Sequence, residues 1–123
     1  MTLADASGMM TQELVDQFES IALEQDEALL LGEFARYNKL FRRMSEIKLE
    51  LKHREGDQRH RLIALLNHKN AQVRLKAAIS VLALAPDEAR STLQKISDRN
   101  EYPQAADARG IIQAIDEGSY TPS

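Results

Sequence analysis

Apolar residues recur every three or four positions along the chain, and alternation of apolar and polar residues is nowhere sustained, so the pattern predicts helices rather than strands. Leu14, Phe18, Ile21, Ala22, Ala28 and Leu29 mark a first helix over about residues 11–30, which Gly32 can close. Phe34, Tyr37, Phe41, Met44, Ile47 and Leu51 trace the apolar stripe of a second, running to about Arg54. The Gly56-Asp57 pair breaks that pattern, and Asp57 suits the N-cap of a third helix carrying Leu62, Leu65 and Leu66.

Asn70 can cap a fourth helix whose inner side holds Val73, Ala77, Ala78, Val81 and Leu82. Pro86 fits the first position of a fifth, because the amide it lacks would have no partner there. Asp87 and Glu88 then fall in the first turn, where the helix dipole favours them, and Leu93 and Ile96 face inward. Pro103 starts a sixth helix with Ala105, Ala108, Ile111, Ile112 and Ile115 on its apolar side, ended by Gly118. The expected fold is all-α: six helices as three antiparallel hairpins in a short superhelical bundle. Residues 1–10 read as a flexible N-terminal tail, 11–118 as a single helical domain and 119–123 as a C-terminal tail. Leu65, Leu66, Val73, Ala78 and Leu82 are expected in the core.

With 123 residues, 43% of them apolar, the chain can build one core and is not expected to be disordered. The absence of cysteine removes disulfides and thiolate metal sites and suits a cytoplasmic location. The start, MTLADASGMM, has no basic region ahead of an apolar stretch, and the longest apolar runs, Ala28 to Leu31 and Val81 to Ala85, fall far short of the roughly 20 residues that span a bilayer. No membrane association is expected.

Candidate chemistry is sparse. His53, His60 and His68 are spaced by seven and eight residues, but Gly56-Asp57 and the turn after Leu66 interrupt any helix that would align them. A zinc site needs converging ligands, so these histidines read as solvated side chains at helix ends. Ser45, Ser80, Ser91 and Ser97 fall within helices and none sits in a Gly-x-Ser-x-Gly elbow. Asp26-Glu27, Asp87-Glu88 and Asp116-Glu117 fall at helix ends or turns, where capping explains them, and no glycine-rich phosphate loop is present. The expectation is therefore no enzyme, with no catalytic residue, no metal ligand and no cofactor.

Charge is laid out in blocks. Residues 1–35 hold eight acidic and no basic side chains, residues 36–76 hold twelve basic and four acidic, and the remainder holds four basic and seven acidic. One reading sets acidic helix 1 against basic helix 2, where exposed pairs contribute about 0–1 kcal/mol each and together fix hairpin register. A second makes Arg36, Lys39 and Arg43, at i, i+3 and i+7, a stripe for an acidic protein partner or another copy of the chain. Nucleic acid is disfavoured, because the chain carries a net charge of −3 and its flanking segments would repel phosphate.

The last two hairpins look related: "LIALL" before "NAQVRLKAAISVL" has a counterpart in "LQKI" before "YPQAADARGIIQAI". The series Asn70, Val73, Arg74, Ala77, Ala78 and Leu82 resembles the core of a HEAT repeat. That resemblance implies that Arg74 bridges neighbouring repeats through carboxylates or carbonyls. Three longer segments, "ELVDQFESIALEQDEALLLGEFARYNKLFRRM", "LLNHKNAQVRLKAAISVLALAPDEAR" and "YPQAADARGIIQAIDEG", are similar to a small bacterial family called domain of unknown function two-thousand-nineteen, over about residues 13–118. The resemblance implies an all-α, HEAT-like fold in a stand-alone bacterial protein, and supplies no activity and no catalytic residues. The expected function is a non-catalytic protein-interaction or scaffold module. The alternatives are a nucleic-acid-binding HEAT-like module or a small enzyme with a spatially assembled site.

Overall fold

The computed structural model describes residues 5–123, and among these all regular structure is helical. There are five α-helices, α1 (Thr11–Leu31), α2 (Phe34–His53), α3 (Ala71–Val81), α4 (Pro86–Asp98) and α5 (Gln104–Glu117), together with 3-10 helices at Ala6–Gly8 and Gln58–Asn67. The six expected helices are thus present, the third as a 3-10 helix. The chain divides into two compact units, residues 1–61 and residues 62–123.

In the first unit α1 and α2 pack against each other across a two-residue link. Gly32 closes α1 in the left-handed conformation, φ 68°, and the amides of Gly32 and Glu33 return to the Leu29 and Ala28 carbonyls at 3.3 and 2.9 Å as the chain reverses. Leu14, Val15, Phe18, Ile21, Ala22 and Ala28 of α1 meet Met44, Ile47 and Leu51 of α2 in the core. Phe34 and Phe41 do not join them: they are 67% and 50% exposed. At about 100° per residue, Phe41 lies about 60° from Met44 and about 120° from Ile47, so the stripe read along the chain winds away from the buried face.

Residues 1–4 of the expected N-terminal tail lie outside the described residues, and residues 5–10 are not a free tail. Asp5 caps the 3-10 helix Ala6–Gly8 by accepting from the Ser7 amide, and Ala6 and Met9 are buried. Arg54, at the end of α2, donates to the carbonyls of Ala6 and Met9 and to the Thr11 hydroxyl, while its Nε meets Glu50 at 2.8 Å. Carbonyl acceptors supplied by the returning segment and a guanidinium fork hold it in place, and neither shows in a hydrophobic pattern.

In the second unit α3 is buried nearly all round: Gln72, Val73, Leu75, Ala77, Ala78, Ser80 and Val81. A helix of this kind sits inside rather than on a surface. It packs on α4 and α5, while α4 also packs on α5. Asn70 caps α3, its Oδ1 accepting from the amides of Gln72 and Val73 at 2.9 and 3.1 Å. Leu62, Leu66, Leu82, Ala89, Leu93, Ile96, Ala105 and Ala108 complete the core. Two glutamines enter it as a pair, the Gln104 amide donating to Gln72 Oε1 at 2.9 Å, which satisfies polar atoms that would otherwise be costly to bury. Leu65, expected in the core, is only half-buried; so are Ile111, Ile112 and Ile115, because α5 buries Ala105 and Ala108 instead.

Candidate functional site

The residues expected to form a basic stripe do not share an open face. Arg43 is 5% exposed and bonds Glu46 at 3.1 Å, Gln17 at 3.3 Å and the Met9 sulfur at 3.7 Å. It is a structural cation inside the first unit, which corrects its place in the stripe. Arg36 is half-buried among Glu24, Glu27 and Glu33, at 3.6, 3.4 and 3.1 Å. Here the acidic helix does meet the basic one. Lys39 alone of the three is exposed.

The face α2 does present is different. Phe34, Asn38, Phe41, Arg42, Ser45 and Leu49 are exposed and recur at helical spacing, on the side of α2 turned away from Ile47. The outer side of α1 has its own apolar pair, Leu23 and Leu30, seven residues apart and 41% and 78% exposed. Gln12 and Asp16 stand on that same side, bonded to each other at 2.9 Å.

In the second unit Arg74 is the organising side chain. Its two terminal nitrogens meet the two Glu101 oxygens at 2.8 and 2.7 Å, its Nε donates to the His68 carbonyl at 2.7 Å, and it reaches the Lys69 carbonyl at 3.3 Å. The hydrogen bonds from Arg74 foremost, and then the charges of Arg74 and Arg99, hold the Glu101 carboxyl below its ordinary value against the opposing effect of burial. A cleft of about 320 Å³ lies over this bridge, lined by Leu66, Asn67, His68, Lys69, Arg74, Thr92, Lys95 and Arg99. Thr92 and Lys95 come from one face of α4 and Arg99, seven residues after Thr92, from its C-cap; Lys69 and His68 come from the turn before α3. The α4 spacing could have been read along the chain. That the turn faces it could not.

Thr92 donates to the Glu88 carbonyl at 3.0 Å and His68 Nδ1 accepts from the Asn70 amide at 3.0 Å, so both groups are engaged in local structure. Among the described residues no group of three or more His, Cys, Asp or Glu side chains is placed to hold a metal ion. Among them, too, no helix is long and apolar enough to cross a membrane.

Helices alone, packed in two compact units with a guanidinium bridge across the second, define an all-α protein. The chain belongs to the family described as domain of unknown function (DUF2019), whose profile matches residues 12–116. It is also similar to the protein RPA1889 from Rhodopseudomonas palustris CGA009: that crystal structure superposes with a TM-score of 0.94 at 44% identity, covering 97% of this chain and 98% of that one. Among curated proteins nothing matches.

Proposed function

We propose that this protein is a non-catalytic helical interaction module, and that the outer face of α2 is its contact surface. The observation that carries the reading is the exposure of Phe34, Phe41 and Leu49 along one line of a helix, with Arg42 beside them. Large apolar side chains aligned on one face, rather than scattered, mark a surface that gains by being covered. The partner is a second copy of the chain. The outer side of α1 offers Leu23 and Leu30 at matching seven-residue spacing, and α1 carries six acidic and no Lys or Arg side chains where α2 carries six Lys or Arg and two acidic ones. Such a contact joins two different faces and is therefore heterologous.

The HEAT-like character expected from the sequence belongs to the same proposal. Arg74 supports it, with a fork on a carboxylate and two carbonyls. The engaged Thr92 and His68 support a non-catalytic role.

Sedimentation velocity across a concentration series tests the assignment. The wild type should associate as concentration rises, and Phe34→Asp with Phe41→Asp should leave a monomer with unchanged helical dichroism. Mixing that double variant with Leu23→Asp/Leu30→Asp should restore a dimer and nothing larger, since each retains one intact face. A wild type that stays monomeric throughout would overturn the proposal.

A further inference from the structure

The cationic cleft of the second unit is independent of the α2 face, and we propose that it binds the phosphate group of a small molecule. Three exposed cations, Lys69, Lys95 and Arg99, line it together with Asn67 and His68. A phosphate monoester carries about −1.5 to −2 charges at neutral pH and three acceptor oxygens, which suits several convergent cations better than a single carboxylate would.

The site is held in shape before any ligand arrives. Arg74 ties the carbonyls of His68 and Lys69 to Glu101, so the turn bearing Lys69 is fixed against the segment that follows α4. Lys95 lies in the last turn of α4 and Arg99 caps that helix, its amide bonded to the Lys95 carbonyl, and α4 packs on both α3 and α5. The backbone that carries the cations is thus in place, and ordering on binding is confined to the exposed side chains of Lys69, Lys95 and Arg99.

The neighbouring surface narrows the ligand. A second depression of about 380 Å³ continues from the first, sharing Leu66, Asn67, Thr92 and Lys95, and it ends on Asp87, Glu88 and Ser91. That acidic end repels a second phosphate, and its carboxylates accept hydrogen bonds from hydroxyl groups. A single terminal phosphate therefore fits, either free inorganic phosphate or the ester of a small hydroxylated compound, whereas a polyphosphate or a nucleic-acid strand would run its next charge into Asp87 and Glu88.

Nitrogen-15 amide NMR titration of the full chain, with calorimetry alongside, reads this directly. The probes are inorganic phosphate, ribose 5-phosphate, ribose and tripolyphosphate. One or both of the first two should saturate, shifting amides at 67–70 and at Thr92, Lys95 and Arg99, and the tighter of the two identifies the source of the phosphate. Ribose should not bind, and tripolyphosphate should bind more weakly than the monophosphate. Lys95→Glu and Arg99→Ala should each weaken binding at least about tenfold, while Arg90→Ala, which removes the separate pair with Asp116, should leave it unchanged. Shifts spread along the basic residues of α2, the absence of saturation, or tighter binding of tripolyphosphate would overturn the assignment.

Discussion

Arg74 and Glu101 meet fork to fork, their paired contacts at 2.8 and 2.7 Å joining α3 to the segment between α4 and α5. The same guanidinium reaches two backbone carbonyls in the turn before α3, so one side chain ties α3 and the turn that precedes it to a residue 27 positions further along the chain. A lysine could keep the charge but not the planar set of donors. Arg74→Lys should lower stability by about 1.5–3 kcal/mol, the contribution of one hydrogen bond involving a charged group. Urea unfolding followed by dichroism measures it; an unchanged midpoint would show that the bridge is dispensable.

The same pair gives stability a pH dependence. Glu101 titrates below its ordinary value in the folded chain, chiefly through the hydrogen bonds from Arg74. A depressed carboxylate contributes stability that is fully present above its unfolded value, about 4.3, and is lost as pH falls through the lower folded value. The stability difference between wild type and Glu101→Gln should therefore be largest at neutral pH and shrink below about pH 4. A difference constant from pH 7 to pH 3 would contradict the ion pair.

Arg43 and Lys39 stand four residues apart on α2 and should respond oppositely to charge reversal. Arg43 is buried against Glu46 and Gln17, and a glutamate there would set two carboxylates together without a cation. Arg43→Glu should cost about 3 kcal/mol or more. Lys39 is exposed, and Lys39→Glu should change stability by no more than about 0.5 kcal/mol. Thermal unfolding of the two variants side by side separates a structural cation from a surface one.

Leu82 is 3% exposed and Leu84 is 38% exposed, though both lie in the apolar run after α3. Leu82→Ala should cost about 2–5 kcal/mol through lost transfer energy and a cavity, whereas Leu84→Ala should cost less than about 1 kcal/mol. Chemical denaturation of both resolves the contrast.

The order and type of the α-helices could be read from the chain alone, because helix ends are local events. Gly32 stops α1 through its own backbone freedom, Asn70 starts α3 through its own side chain, and Pro86 starts α4 through the amide it lacks. None of these needs a partner distant in sequence. What an element buries is not local. Phe34 and Phe41 carry as strong an apolar signal as Met44 and Ile47, yet only the packing of α1 on α2 decides which of them meets another surface. Arg36, Lys39 and Arg43 are three cations at helical spacing by sequence; in the fold they become an ion-paired, an exposed and a buried one. The charge of Lys69 likewise acquires company only when the turn before α3 faces α4 across the cleft. Secondary structure follows from interactions within a few residues, while burial and charge pairing depend on contacts such as those between residues 74 and 101, which exist only once the chain has folded.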